Sequence, residues 1–425
     1  MAIIKPFKPL RPVSRFAGAV VAPPYDSVSL KETRQILRNN PLSFLKVLKP
    51  EANVPFYSTS KSAMFREAKH SLDEFMEGKI FVQEKTPHFY IYTESIGEHV
   101  QSGIVGLFSC NDYEKGIIKG TEKTKYKELD DRIRWVECMG IQAGPSFLMY
   151  RENKSIREIV NRIKKESPEY DFITEDGVRH TVHSVLKKAV IVEIQSLFLN
   201  IPVLYVADGN HRVLATCRVF KKYGIQSGFF LGAAVPHNNV CIMEYNRIIK
   251  DLNGLSKDEF LYKLNQYFYV QKIGKTAFKP DRKHFFGMFL KGNWYKLMIK
   301  NEYVVNLNPP ESLDVSLLSK YVFRSIFGIM DERDNGRIDF ISGKEGAEAL
   351  EEKVQKNGWA VSFSLFPITV SEITAVADNG FIMSPKSTWF EPKFRSGLFL
   401  DSLDEIKERI KKDTETSQED YTIWL

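Results

Sequence analysis

The 425-residue sequence carries 60 lysine and arginine residues against 53 aspartate and glutamate residues, for a net charge of +7. With 43% hydrophobic and 12% aromatic residues, it has the composition of a folded globular protein, which excludes a disordered chain. The positive excess is small for this length and indicates no particular anionic partner, whereas the length itself predicts two or three subdomains.

No segment is long and apolar enough to cross a bilayer, and the first residues lack the apolar core of a signal peptide. We therefore expect a cytoplasmic protein without a membrane partner. The cysteines show no metal-type spacing, so we expect reduced thiols at Cys110, Cys138, Cys217 and Cys241.

The N-terminal region predicts extended segments that lead into a helix. Residues 3–12 are punctuated by prolines, which is typical of a surface or sheet-edge segment. Residues 20–27 predict a short strand that a double proline ends, so Asp26 would lie on a rigid elbow. Ser29 and Glu32 form a capping box that opens the following helix. Asp26 is either a turn residue or a chemical group.

The next elements favour a mixed α+β fold. Residues 40–48 predict a strand that Ser43 and Lys46 interrupt, and residues 59–78 predict an amphipathic core helix. Further strands are predicted at residues 81–82, 88–93 and 104–109. This hairpin-rich series favours a mixed sheet over a doubly wound parallel sheet.

Residues 119–132 form a polar segment with charges of both signs that runs into a helix. Such a segment is usually a solvated face of the protein. It also carries groups that could serve a metal–phosphate site, namely Glu122, Thr124, Asp131 and Arg132.

The most informative stretch lies in the middle of the chain. Residues 203–207 predict a buried strand, residues 213–223 predict a helix, and Asp208–Asn210 form the turn between them. A strand that passes through a glycine turn into a helix brings backbone N–H groups and the positive end of the helix dipole to one place. This local pattern predicts a corner that is suited to a phosphate group.

The side chains around this turn add to its chemistry. His211 and Arg212 supply two more donors, and Asp208 could act as an acid, a base or a magnesium ligand. The alternative is that Asp208 or Asn210 only caps the helix.

From about residue 253 the pattern predicts a second lobe, with helices at 257–268 and 313–327 and strands at 284–289 and 294–299. Residues 384–393 combine lysines, hydroxyls and aromatic residues between prolines, which is typical of an anion-binding loop. A final helix is predicted at 402–412.

Four stretches together resemble a family associated with free serine kinases, and they follow one another in the expected order: Lys5–Pro12 with Ala22–Asp26, Asn40–Lys46, Ala207–Arg212 and Met383–Phe390. The chain departs from the family pattern at three positions. Asn210 and Thr121 stand where the family usually has histidine, and Ser384 stands where it usually has proline.

The resemblance implies an α+β fold with a mixed-sheet ParB/sulfiredoxin-like core at residues 1–250 and a second α/β lobe at 251–425 that contributes the Lys386 loop to the site. It implies phosphorylation of free L-serine to O-phospho-L-serine, which would feed cysteine biosynthesis. Pyrophosphate is the expected donor, and ATP or ADP are the alternatives because shorter relatives use them. The sequence contains no Walker-type or Gly-x-Gly-x-x-Gly loop.

Site roles follow from the resemblance together with the residue chemistry. Catalysis is expected from Asp208, Asp26 or Glu122, and Asp208 and Glu122 are also the expected Mg²⁺ ligands. Phosphate binding is expected from Gly209, Asn210, His211, Arg212, Lys386, Ser387, Thr388 and Lys393. Substrate binding is expected from Ser43, Lys46, Thr124, Arg132 and Arg247. We expect Asp26, His211 and Lys386 to converge on one cavity.

Two other protein classes could share the central corner. A ParB-like nucleic-acid-binding module would bring a helix-turn-helix or a basic stripe, and the sequence has neither, so no nucleic-acid partner is expected. A sulfiredoxin-like reductase would need a reactive cysteine directly before His211, where this chain has Asn210.

Overall fold

The computed structural model describes residues 1–54, 60–124, 126–332, 335–404, 406 and 408. They form two compact units. Unit 1 contains Met1–Gly120, Tyr126–Val240 and the described residues from Pro392 onwards, and unit 2 contains the described residues of Thr121–Lys125 together with Cys241–Glu391. The expected domain division at residue 250 stays a prediction.

The described strands are, in chain order, β1 (Ile4–Lys5), β2 (Leu10–Pro12), β3 (Phe81–Gln83), β4 (Phe89–Ile96), β5 (His99–Ser109), β6 (Ile118–Gly120), β7 (Ile141–Gln142), β8 (Ser146–Tyr150), β9 (Tyr170–Ile173), β10 (Arg179–Val185), β11 (Leu204–Asp208), β12 (Phe229–Pro236), β13 (Ile242–Met243), β14 (Tyr245–Ile249), β15 (Phe268–Gly274), β16 (Phe285–Leu290), β17 (Asn293–Ile299), β18 (Ile338–Ser342), β19 (Val361–Ser364), β20 (Trp389–Phe390) and β21 (Asp401–Ser402).

The described α-helices are α1 (Ser14–Val20), α2 (Leu30–Asn39), α3 (Leu45–Leu48), α4 (Lys61–Glu77), α5 (Cys110–Glu114), α6 (Tyr126–Met139), α7 (Lys154–Ile163), α8 (Lys188–Leu199), α9 (Asn210–Lys222), α10 (Lys257–Tyr267), α11 (Asp314–Leu318), α12 (Gly346–Gln355) and α13 (Val370–Asp378).

Unit 1 is built on a mixed sheet with the strand order β6-β11-β8-β12-β5-β4-β10-β9, and β1 pairs with β5 at its side. β11 runs parallel to β6, and β12 runs parallel to β8, whereas β4, β5 and β10 pair antiparallel. Apolar residues of the sheet and of helices such as α4, α6, α7 and α9 form the core of this unit. The prediction of an α+β fold with a mixed-sheet core is confirmed.

Unit 2 has its own antiparallel sheet with the order β15-β17-β16-β19-β14-β18. Its central cluster is formed by Ile248, Phe289, Trp294, Ile341 and Leu350, of which the last lies on α12. A separate pair of strands, β13 and β20, lies beside the loop that contains Lys386.

Several local predictions are wrong. Residues 40–48 contain the short helix α3 instead of a strand, because three neighbouring apolar side chains are all buried there, a pattern that periodicity cannot separate from a buried strand. The predicted strand at 20–27 is a turn region after α1. The predicted helix at 313–327 is shorter, since α11 continues only as the π-helix Ser319–Arg324. The predicted helix at 402–412 lies largely outside the described residues.

The cysteine prediction is also wrong, because Cys110 and Cys217 form a disulfide. Their separation of 107 residues hides this pairing in the sequence, but α5 and α9 bring their Cα atoms to 5.3 Å. Cys138 and Cys241 are free thiols. Over the part of the chain that the structure describes, none of the helices combines the length and the apolar character needed to cross a membrane.

Candidate functional site

The turn between β11 and α9 depends on one glycine. Gly209 has a φ of +90°, and a Cβ at this position would lie 2.8 Å from a guanidinium nitrogen of Arg212. Glycine is therefore required both by the backbone and by the close approach of the arginine. Gly209 also stands at the N-cap of α9, so neither Asp208 nor Asn210 is the capping residue. Simple helix capping does not explain the acid at this corner.

Asp208 is held between two cations. Its Oδ2 accepts a hydrogen bond of 2.8 Å from Arg212, and its Oδ1 accepts one from the ammonium group of Lys393. Arg212 also donates to the carbonyl oxygen of Pro145 at 2.7 Å. A β-bulge between Val206 and Asp208 turns the end of β11 away from regular pairing, as bulges near functional sites commonly do. One carboxylate and two cationic side chains thus lie at the positive end of a helix, an arrangement that suits an anion.

His211 and Asn210 occupy the first turn of α9 with different environments. The side chain of His211 is 20% exposed, and its Nε2 lies 3.5 Å from an oxygen of Glu128 on α6. Asn210 is buried, and its Oδ1 would be 3.4 Å from a Cβ at Gly120 on β6. Asn210 therefore packs against the neighbouring strand, whereas His211 reaches the acid on α6.

Beside this corner lies a buried arginine between two aromatic rings. Arg132 is 6% exposed, and its guanidinium carbon is 5.0 Å from the ring centre of Tyr25 and 4.0 Å from that of Trp135. Burial lowers the pKa of Arg132 to about 10, and burial with the charge of Asp26 raises the pKa of Tyr25 to about 12. The positive charge of Arg212 contributes to lowering the pKa of Arg132 and opposes the rise in the pKa of Tyr25. Asp26 and the β11–α9 corner therefore share one electrostatic environment within unit 1.

A cavity of about 260 Å³ adjoins this arginine, and we call it the Arg132 cavity. Its lining combines apolar and aromatic side chains with several charged ones. The lining residues are Tyr25, Leu48, Pro50, Glu51, Lys61, Met64, Phe65, Glu128, Asp131, Arg132 and Trp135.

In unit 2, the loop around residue 387 is fixed by its own hydrogen bonds. The backbone N–H and the hydroxyl of Thr388 both donate to Oε1 of Glu122, at 2.9 and 2.7 Å. The hydroxyl of buried Ser387 donates to the carbonyl oxygen of Ser384 at 2.7 Å. Thr124 is half-buried in the same short segment as Glu122. Glu122 thus holds Thr388, and with it this part of the loop, in place.

Lys386 has a strained backbone in the same loop. Its φ is +62°, a value that non-glycine residues rarely adopt and that often accompanies functional sites. Arg247, which is buried and whose pKa burial lowers, donates to the carbonyl oxygen of Lys386 at 3.0 Å. Arg247 thus supports the loop backbone. The predicted convergence of Lys386 with Asp26 and His211 involves both units and stays a prediction.

Two other predicted substrate-binding residues lie on α3 and just before it. Ser43 is buried, and its hydroxyl oxygen accepts from the backbone N–H of Leu45 at 3.4 Å. Lys46 pairs with Glu74 of α4 at 2.6 Å. Both contacts are structural, and a substrate role for either residue stays a prediction.

Sequence reasoning missed three residues of the unit 1 site, namely Tyr25, Glu128 and Trp135. The signal for two of them was present, because Glu128 and Trp135 lie four residues before and three residues after Arg132 on a predicted helix and hence near it in space. Tyr25 precedes Asp26 directly, but nothing in the sequence indicates that its ring lies over Arg132.

Comparison with known proteins assigns the chain to a family. The family described as "Protein of unknown function (DUF1015)" matches residues 4–316, and the chain belongs to it. No curated protein matches the sequence significantly.

Solved structures give distant likenesses. A free serine kinase in complex with AMP shares 15% identity with a TM-score of 0.37, and the match covers 71% of this chain and 92% of that one. SbnI with a C-terminal truncation, from Staphylococcus aureus, shares 11% identity with a TM-score of 0.38, over 73% and 94% of the two chains. A conserved hypothetical protein from Pyrococcus furiosus shares 13% identity with a TM-score of 0.37, over 71% and 96%.

Proposed function

We propose that this protein is a kinase that transfers a phosphoryl group from pyrophosphate to the hydroxyl of free L-serine. The observation that carries the proposal is the β11–α9 corner, where Arg212 and Lys393 flank Asp208 at the start of a helix. Phosphoryl transfer asks a protein mainly to position the two reactants and to neutralise phosphate charge, and this corner supplies groups for both tasks. The four stretches that resemble free serine kinases include it.

The proposed step is an in-line displacement. The serine hydroxyl oxygen forms a bond to one phosphorus atom of pyrophosphate while the bond from that phosphorus to the bridging oxygen breaks. The hydroxyl proton passes to a carboxylate base, and orthophosphate leaves. The products are O-phospho-L-serine, which would feed cysteine biosynthesis, and orthophosphate.

The groups of unit 1 divide naturally between these tasks. His211, Arg212 and the backbone around Gly209 and Asn210 would hold the transferred phosphoryl group, and Lys393 would neutralise part of its charge. Asp208 is the proposed base because it lies within the corner itself, and exposed Asp26 is the alternative. In unit 2, the second phosphate would be bound by Lys386, Ser387 and Thr388.

Magnesium is the proposed metal. Among the described residues, no group of three or more His, Cys, Asp or Glu side chains is arranged to hold a metal ion. This donor set still fits magnesium, which commonly takes one or two carboxylates and completes its coordination with substrate phosphates and water. Asp208 in unit 1 and Glu122 in unit 2 are the proposed protein ligands. The ion would neutralise negative charge on the donor.

A donor comparison tests the proposal. The whole chain is incubated with L-serine and Mg²⁺ together with pyrophosphate, ATP or ADP in separate reactions, and O-phosphoserine is detected by mass spectrometry. We expect product with pyrophosphate. Product only with ATP or ADP would show that the donor is a nucleotide and not pyrophosphate. No product with any of the three would overturn the kinase assignment in favour of a binding module.

A further inference from the structure

Lys393 lies in a segment without regular secondary structure. Residues 392–395 belong to none of the described helices or strands. The side chain of Lys393 is nevertheless only 12% exposed, and its ammonium group donates to Asp208 of the β11–α9 corner. A lysine side chain is long and flexible, so it keeps a fixed position only where its backbone is held. The position of Lys393 therefore depends on the contacts of its neighbours.

The residues on either side of Lys393 are anchored to the sheet of unit 1. Before it, the carbonyl oxygen of Pro392 accepts a hydrogen bond of 2.9 Å from Nε2 of Gln101 on β5. After it, the ring of Phe394 packs against that of Tyr92 on β4, with 5.1 Å between the ring centres. The Gln101 bond is directional and acts on the peptide unit that joins Pro392 to Lys393. It therefore fixes the point from which the lysine side chain starts.

Gln101 is itself oriented by Glu94, which lies directly opposite on β4. Both side chains are completely buried. Nε2 of Gln101 donates to Oε2 of Glu94 at 2.7 Å, and Oε1 of Glu94 accepts from the hydroxyl of Tyr92 at 3.2 Å. An amide nitrogen has two N–H donors, and in Gln101 one serves Glu94 and the other serves Pro392. Glu94 thus determines which way the amide of Gln101 points.

The Glu94–Gln101 pair is a costly choice for the interior of a sheet. A carboxyl group and an amide lose hydration on burial that two apolar side chains would not lose. Oε1 of Gln101 also has no hydrogen-bond partner among the described residues, which adds to the cost. The stability of the sheet therefore does not account for this pair, whereas the anchoring of Pro392 does.

We propose that Gln101, oriented by Glu94, is a positioning residue that holds Lys393 against Asp208 at the β11–α9 corner. The use of Lys393 to neutralise phosphate charge rests on the proposed function, but the positioning of Lys393 does not. Gln101 acts only through the backbone next to Lys393 and has no contact with the reactants. Its loss should therefore be felt at Lys393 before it is felt elsewhere in the fold.

The reactivity of Lys393 tests the positioning without any substrate. Competitive acetylation of the native chain with limiting acetic anhydride compares the labelling of Lys393 with that of Lys154, whose side chain is 80% exposed, by mass spectrometry of the digest. In Gln101→Met, which keeps the size of the side chain but loses both donors, labelling of Lys393 relative to Lys154 should rise by about tenfold. One charge-assisted hydrogen bond is worth about that factor. Gln101→Asn should show a smaller rise and serves if Gln101→Met does not fold.

The matched control lies on the same two strands. Thr93 and Ser102 are also directly opposite each other and buried, and their hydroxyls form a hydrogen bond of 2.8 Å. Thr93→Val removes this bond with little change of shape, so it reports the general effect of losing a buried polar pair between β4 and β5. Labelling of Lys393 should stay at the native level in this variant.

Pyrophosphate binding tests whether Gln101 acts through Lys393. In calorimetric titrations with pyrophosphate and Mg²⁺, Lys393→Met should weaken binding by about 10- to 100-fold and Gln101→Met by about tenfold. In the Lys393→Met background, Gln101→Met should change the affinity by no more than about twofold, because the group that it positions is gone. Equal losses in both backgrounds would show that Gln101 acts independently of Lys393, which would overturn the proposal.

The outcomes separate this inference from the proposed function. Increased labelling of Lys393 in Gln101→Met, in a protein that binds no pyrophosphate, would support the positioning role and remove the proposed donor. Unchanged labelling of Lys393 in both Gln101 variants would overturn the positioning role even if phosphoserine forms. An equal rise in Thr93→Val would also overturn it, since general loosening of the sheet would then explain the effect.

Discussion

The replacement Asp208→Asn tests the centre of the proposed site. In the native protein the two carboxylate oxygens accept hydrogen bonds from Arg212 and Lys393. Asparagine keeps the size of the side chain but offers one acceptor oxygen and one N–H₂ group, so one of the two cations loses its acceptor. It also removes the negative charge that a base requires.

The expected magnitudes differ for structure and for catalysis. Loss of one charge-assisted hydrogen bond at this largely buried position should lower the free energy of unfolding by about 1.5–3 kcal/mol. If Asp208 is the base, turnover should fall by about 10²–10⁴-fold, because a positioned base typically contributes that much. With Mg²⁺ at saturating concentration, the pyrophosphate KM should change less than kcat, since both phosphate-binding cations are retained.

Steady-state kinetics of phosphoserine formation measure both constants, with chemical unfolding as the check on folding. Asp171→Asn is the control, because Asp171 pairs with Arg179 on the exposed surface and should change neither constant. Near-normal turnover of Asp208→Asn would remove Asp208 from the mechanism. A rise in the pyrophosphate KM without a loss of kcat would show that Asp208 only orders the neighbouring cations.

Three further predictions concern pH, redox state and backbone. Burial raises the pKa of Asp401 from 3.8 to about 7. Between these pH values the folded chain holds a proton that the unfolded chain has released, so the free energy of unfolding falls as the pH rises. Asp401→Asn should therefore reduce the difference between the urea midpoints at pH 5 and pH 8, and an unchanged difference would contradict this. Reduction of the Cys110–Cys217 disulfide should lower the free energy of unfolding by about 3–5 kcal/mol, whereas thermal denaturation of Cys217→Ser should not respond to reductant. Gly209→Ala should raise the KM for pyrophosphate, because the new Cβ would displace the side chain of Arg212. Gly177 has a similar φ with open space around it, so Gly177→Ala should leave this KM unchanged. Equal KM values in both variants would show that the close approach of Arg212 to Gly209 has no role in pyrophosphate binding.

The β11–α9 corner was predictable because its signals are local. A buried strand, a glycine that requires a positive φ and the start of a helix lie within a few consecutive residues, and the structure has the same order there. The helix after Ser29 was predictable for the same reason, since its capping box is formed by neighbouring residues and is present in the structure.

What the sequence could not supply are contacts between distant residues. Lys393 was predicted as a phosphate ligand, but its pairing with Asp208 joins residues 185 positions apart. The stacking of Tyr25 on Arg132 and the disulfide of Cys110 likewise depend on how the sheet brings distant segments together. The wrong strand at 40–48 has a different cause, because a short, fully buried apolar segment has no periodicity that separates helix from strand.

The most direct test of the central claim is the phosphorus balance of the reaction. Phosphorus NMR follows the whole chain with pyrophosphate, L-serine and Mg²⁺ over time. We predict that each pyrophosphate consumed yields one O-phosphoserine and one orthophosphate, and that its consumption stops when L-serine is omitted. Conversion of pyrophosphate into two orthophosphates, or no conversion at all, would contradict the assignment.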